Sequence, residues 1–113
     1  MEQKLYDTVT DCPVIAAIKD DAGLERCLDS DIQIVFVLYG DIVSIPEIVD
    51  RIKKKGKLAM VHADLISGLA GKEIAIDFLK RNTQADGIIS TKLSFIKRAK
   101  ELGMATVFRF FCD

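Results

Sequence analysis

The sequence predicts an α/β fold, a parallel sheet assembled from repeated βα units, and three observations carry that expectation. The apolar runs Ile34-Val35-Phe36-Val37-Leu38 and Leu58-Ala59-Met60-Val61 show no polar alternation, which is how strands covered on both faces read. Between them Ile45, Ile48, Val49 and Ile52 recur at helical spacing. The same strand–helix order continues along the chain with no hairpin signal such as Asn-Gly, so the strands should run parallel with helices outside them.

Taken in order, residues 1–12 read as an amphipathic lead-in, a helix carrying Leu5, Tyr6 and Val9. Pro13 opens the strand Val14–Ile18, which ends at Lys19-Asp20-Asp21. Acidic residues there suit the start of a short helix with Leu24, Cys27 and Leu28 inward. The Ile34 run follows and stops at Tyr39-Gly40-Asp41. Ser44 is placed to cap the next helix, with Glu47 reaching back as a capping box, and Gly56 closes it after a lysine-rich turn. The Leu58 run ends in His62-Ala63-Asp64. A loop, Leu65 to Gly71, then precedes a helix with Ile74, Ala75, Phe78 and Leu79 inward, and Asn82 suits its end. Ala85-Asp86-Gly87 feeds the strand Ile88-Ile89, which meets Ser90-Thr91-Lys92. The last unit is a helix from Phe95 to Leu102, closed by Gly103, and a strand Ala105–Phe108 ending at Arg109.

At 113 residues this is one α/β domain, 1–113, and two architectures fit it. One is a complete five-stranded doubly wound, flavodoxin-like sheet. The other is a partial TIM-barrel-like arc, about five of eight strands, since the whole barrel takes about 250 residues. Phe110-Phe111-Cys112-Asp113 is apolar where a doubly wound domain would place a covering helix, so the chain reads as an interrupted barrel. Such an arc exposes a sheet edge at its fifth strand, and a homo-oligomer is expected from it.

The totals exclude several classes. A net charge of -1 gives no general attraction to nucleic acid or membranes. No apolar run approaches the roughly 18 residues of a membrane span, and the acidic start is no signal peptide. Cys12, Cys27 and Cys112 share no metal-type spacing and are odd in number, which suits reduced thiols in a cytoplasm.

Polar residues gather just past the strand ends, the rim where parallel α/β folds hold ligands. Lys19, Lys92 and Arg109 would make that rim attractive to a small anion, while Asp41, His62, Asp64 and Thr91 could meet hydroxyls. The plainer reading of Asp20, Asp21 and Asp41 is helix capping. Strand alternation puts His62 and Asp64 on one face, but a metal would need a third ligand, so neither metal nor cofactor is expected. Acid–base catalysis by that pair lacks a nucleophile. Gly68-Leu69-Ala70-Gly71-Lys72 falls short of a phosphate-cradling Walker loop and more simply shapes the approach to a helix. Lys53, Lys54, Lys55 and Lys57 form the densest basic run; they either offset a helix dipole or track a phosphate backbone.

Five ordered blocks carry a resemblance: Pro13 to Asp20, Val35 to Ile42, Val61 to Leu69, Ala85 to Lys92, and Arg109-Phe110-Phe111. Together they resemble the glycerol-3-phosphate-responsive antiterminators of bacteria over essentially the whole chain. The resemblance implies a TIM-barrel-like regulator and not an enzyme. It implies glycerol 3-phosphate as ligand and the leader mRNA of glycerol-utilisation genes as partner. Family members continue through further βα units after the Arg-Phe-Phe block, so the rim residues present here should supply the glycerol side and part of the phosphate contacts. A small barrel enzyme acting on a phosphorylated polyol or sugar is the alternative.

Overall fold

A computed structural model describes residues 14–109. The lead-in helix, Pro13, Cys12 and the Phe110–Asp113 segment lie outside those residues. The elements are β1 (Ile15–Ile18), α1 (Asp21–Leu28), β2 (Ile34–Val37), α2 (Ile45–Lys54), β3 (Leu58–His62), a 3-10 turn (Ala63–Leu65), α3 (Ile74–Asn82), β4 (Gly87–Ser90), α4 (Leu93–Glu101) and β5 (Ala105–Phe108).

All strand pairs are parallel, and the sheet order is β1-β2-β3-β4-β5. That order rejects the flavodoxin-like alternative, in which the first strand moves inside the sheet. Strands added one after another with crossovers of one hand put every helix on the same side, as in the opening units of a βα barrel. The barrel is not closed: among the described residues β1 and β5 each pair on one side only.

The helix side is the core. Val35, Val37, Ala59, Val61 and Ile88 from the strands pack against Ile45, Val49, Ile52, Ile76, Leu79, Phe95 and Ala99 from the helices. Burying each such aliphatic side chain stabilises by about 1.5–3 kcal/mol relative to leaving it in water. The other side of the sheet carries Ile15, Phe36, Met60, His62, Ile89 and Val107, the alternate residues of the same strands. There Met60 and Ile89 are buried at the centre, while Ile15 at the edge stays half-exposed.

Two expectations about helices are corrected. In α3 the inward residues are Ala75, Ile76 and Leu79, and Ile74 is exposed at 65%. Leu79 lies between Ala75 and Ile76 on the helix surface and takes the central place, which turns Ile74 to solvent. In α2 neither Ser44 nor Glu47 forms the expected cap, because Ser44 already has helical backbone angles. The capping box sits three residues earlier. Asp41 Oδ1 accepts the N–H groups of Val43 and Ser44 at 2.9 and 2.8 Å, and the Asp41 N–H donates to Ser44 Oγ at 3.1 Å. Asp20 caps α1 as expected, accepting from Gly23 N–H at 2.7 Å.

One glycine is required by a close approach. A Cβ on Gly87 would lie 2.2 Å from the Ala105 carbonyl oxygen, so β4 and β5 can pair at this register only with no side chain there.

Candidate functional site

The carboxyl ends of β3, β4 and β5 meet at a hollow on the side of the sheet away from the helices. Phe36, Leu38, Ile89 and Val107 form its apolar wall, and His62 and Arg109 are its polar members; its volume is about 280 Å³. Strand alternation explains the membership: residues 36 and 38, 62, 89, and 107 and 109 all share one face under the observed register. Other clefts in the molecule are larger, but this one lies where successive parallel strands end.

His62 is 98% buried, with a relative exposure of 2%, and its Nε2 lies 3.2 Å from an Arg109 terminal nitrogen. A guanidinium has donors only, so Nε2 must accept and the ring proton resides on Nδ1. Nδ1 is buried without a hydrogen-bond partner. Such an unmet donor costs about 1–3 kcal/mol. Burial pushes the His62 pKa below the ordinary histidine range; the Asp64 carboxylate opposes that shift and the Arg109 charge adds to it. The imidazole is neutral near pH 7.

Asp64 does something different from what strand alternation implies. The chain leaves β3 through the 3-10 turn, which ends the alternation after His62 and directs Asp64 toward β4. Its Oδ1 accepts from Ser90 Oγ at 2.6 Å, and its Oδ2 accepts from the Thr91 N–H at 2.9 Å and Oγ1 at 2.5 Å. Burial works against the charged form, but the Ser90 and Thr91 donors outweigh it and hold the carboxyl below the usual carboxylate range. Ser90, fully buried, also accepts from the Lys92 N–H at 2.9 Å. This network joins the ends of β3 and β4 and fixes the frame in which His62 sits.

The other rim residues divide. Lys92 does not enter the hollow: its ammonium stands 4.8 Å from the centre of the Phe95 ring, on the helix side, and a Cβ on Gly71 would touch it. Asp41 is spent on the α2 cap, and its pKa is lowered chiefly by the Ser44 backbone donor. Lys19 is exposed past β1, with β2, β3 and β4 between it and Arg109 in the sheet. The geometry therefore brings His62 to Arg109 and Asp64 to Thr91, and leaves Lys19, Asp41 and Lys92 out of the hollow. The four apolar wall residues lie outside the polar rim that the strand ends suggest, but strand parity identifies Phe36, Leu38, Ile89 and Val107. Among the described residues no three His, Cys, Asp or Glu side chains converge as a metal site would need.

The lysine run does not form one basic face. Lys57 is buried, its ammonium donating to the carbonyls of Ser30 and Ile32 at 2.7 Å each. Lys53 pairs with Asp86 at 2.9 Å. Lys54 and Lys55 alone of the four are exposed, and Lys54 pairs with Asp50. The reason is position: Lys57 is the single residue between Gly56 and β3, and there it packs against the α1–β2 loop that carries Ser30 and Ile32. Among the described residues no helix is long and apolar enough to cross a membrane.

Comparison with known proteins agrees with this architecture. Residues 14–113 match the profile of the glycerol-3-phosphate responsive antiterminators. The chain is 50% identical over 99 residues to the uncharacterized protein YgcP of Escherichia coli, an alignment covering 88% of this chain and 52% of YgcP. A glycerol uptake operon antiterminator regulatory protein from Listeria monocytogenes superposes with a TM-score of 0.82 at 30% identity, over 88% of this chain and 54% of that one. A glycerol uptake operon antiterminator-related protein from Thermotoga maritima superposes with a TM-score of 0.76 at 34% identity, over 87% and 55%. The chain thus spans about half the length of the relatives it matches. With its profile matched from residue 14 to 113, half of its aligned residues shared with one relative and its parallel sheet superposing on two antiterminator structures, the chain belongs to the glycerol-3-phosphate responsive antiterminator family.

Proposed function

We propose that this chain carries part of the glycerol 3-phosphate site of a transcription antiterminator, and that the liganded protein engages the leader mRNA of glycerol-utilisation genes. The observation behind this reading is the hollow itself, where a neutral imidazole and a guanidinium stand against an apolar wall at the ends of parallel strands. Arg109 suits a phosphate oxygen and the wall suits the carbon chain of a small polyol phosphate. The Asp64–Ser90–Thr91 network holds the frame and is not needed as a proton carrier. The role in this reading is sensing and not turnover, as the family resemblance implies.

For RNA, the exposed cations Lys54 and Lys55 of α2, Lys80 and Arg81 of α3, and Lys97 and Lys100 of α4 occupy the carboxyl halves of the helices. In a βα repeat those ends lie opposite the ligand rim, so RNA and ligand would use different faces. Self-association is part of the same reading, supported by sheet edges at β1 and β5 that are unpaired among the described residues.

The test is a melting series with glycerol 3-phosphate, glycerol or inorganic phosphate, and leader-RNA binding measured with and without the first. Glycerol 3-phosphate should raise the midpoint more than either half alone and tighten RNA binding, with a salt slope reporting the phosphates contacted. Equal indifference to all three ligands, together with unchanged RNA binding, removes the reading.

A further inference from the structure

We propose that His62 and Arg109 form a closed pair that an incoming phosphate monoester opens, and that the His62 imidazole takes up one proton from solvent as it does so. The inference rests on the ligand reading above and adds a regulation to it: occupancy of the site depends on pH.

In the free protein the Arg109 contact at 3.2 Å requires an unprotonated Nε2, since neither partner could otherwise supply a lone pair. The opposite nitrogen is buried and has no hydrogen-bond partner among the described residues. A phosphate oxygen placed between the two side chains would accept from the guanidinium on one side. On the other it could accept from Nε2 only if that atom carried a proton. The Nδ1 proton could move to Nε2, but a phosphate dianion beside the ring favours a second proton over that exchange, so binding in this geometry makes the ring an imidazolium. Two cationic side chains then face the dianion, against a wall that is otherwise apolar.

Among the described residues, the groups bearing on the ring fit this account. Asp64, two residues on, favours the imidazolium, while Arg109 from the end of β5 disfavours it. The neighbouring strands contribute Phe36 and Leu38 from the β2 side and Ile89 from β4, none of which titrates. Arg109 itself is exposed at the end of β5.

The chain has one histidine, so its ring resonances need no assignment. The experiment is an NMR titration of that ring with pH, free and saturated with glycerol 3-phosphate, paired with calorimetry in two buffers of different ionisation enthalpy. The ring midpoint should rise by about one pH unit or more on saturation. Calorimetry should show proton uptake that is lost in His62→Asn, with affinity falling up to roughly tenfold per pH unit between the free and bound midpoints. Binding with an unmoved ring midpoint overturns the inference and leaves the proposed ligand standing. No binding and an unmoved midpoint overturn both. A midpoint raised as much by sodium chloride or glycerol also overturns it, because charge screening or simple occupancy would then suffice.

Discussion

Asp64 and Thr91 meet through two hydrogen bonds to one carboxylate oxygen, which accepts both the backbone N–H and the hydroxyl of Thr91. With Ser90 on the other oxygen, the side chain ties two neighbouring strand ends together. Asp64→Asn exchanges acceptors for a donor that faces the Ser90 and Thr91 donors. It should lower the unfolding free energy by about 1–3 kcal/mol, read from urea denaturation near pH 7. Because the folded pKa is depressed, the carboxylate's contribution is complete above the unfolded value of about 3.9 and fades as pH falls through the folded one. The variant and the native protein should therefore converge in stability at strongly acidic pH.

His62 gives a second pH dependence of stability, of the same sign but in a higher range. Its folded pKa is depressed, so between that value and the unfolded value of about 6.5 the unfolded chain binds more protons. Stability is complete above about 6.5 and declines as pH drops toward the folded value. His62→Leu should abolish that part of the slope, which melting points taken at intervals from pH 7.5 to about 5 would show. An unchanged slope in the variant assigns the titration elsewhere.

Lys57 and Lys55 stand two residues apart and should behave as different kinds of residue. Lys57→Met leaves the Ser30 and Ile32 carbonyls without their donor, and a loss of about 1–3 kcal/mol is expected. Lys55→Ala on the surface should stay within about 0.5 kcal/mol. In RNA binding the order reverses: Lys55→Ala should reduce the salt slope, whereas Lys57→Met should act only through stability.

Gly87→Ala places a methyl group against backbone that cannot rotate away. Separation of β5 from β4 is expected, with a cost of at least about 1–3 kcal/mol. Hydrogen exchange should report it as lost protection in β5, and because β5 leads into Arg109, the response to glycerol 3-phosphate should weaken too. Gly56, in an open turn with φ of 76°, offers the contrast: its substitution strains the backbone but should leave β5 protection intact.

Much of this was legible in the chain alone, and particular residues show why. The β2 and β3 runs announced themselves because a strand covered on both faces has no polar alternation to confuse with a loop. Gly103 and Gly56 closed their helices where expected, since a left-handed residue at a helix end is a local requirement. The Ser44 cap was misplaced because Asp41, Ser44 and Glu47 offer two overlapping capping boxes three residues apart. Propensity cannot choose between them; the anchoring of Asp41 beside Ser67, across a bridge between two loops, does.

The order of apolar runs and helical stretches by itself determined a parallel sheet of βα units, because hydrophobic periodicity acts over a few residues and needs no distant partner. It also determined which residues would stand at the strand ends. Only the tertiary structure decided which of those ends share a hollow. Strand order chose between the doubly wound sheet and the open arc, register set His62 against Arg109, and a single 3-10 turn sent Asp64 to Thr91 instead. Those outcomes depend on contacts between residues tens of positions apart, where the free energy belongs to the packed pair and to neither local segment.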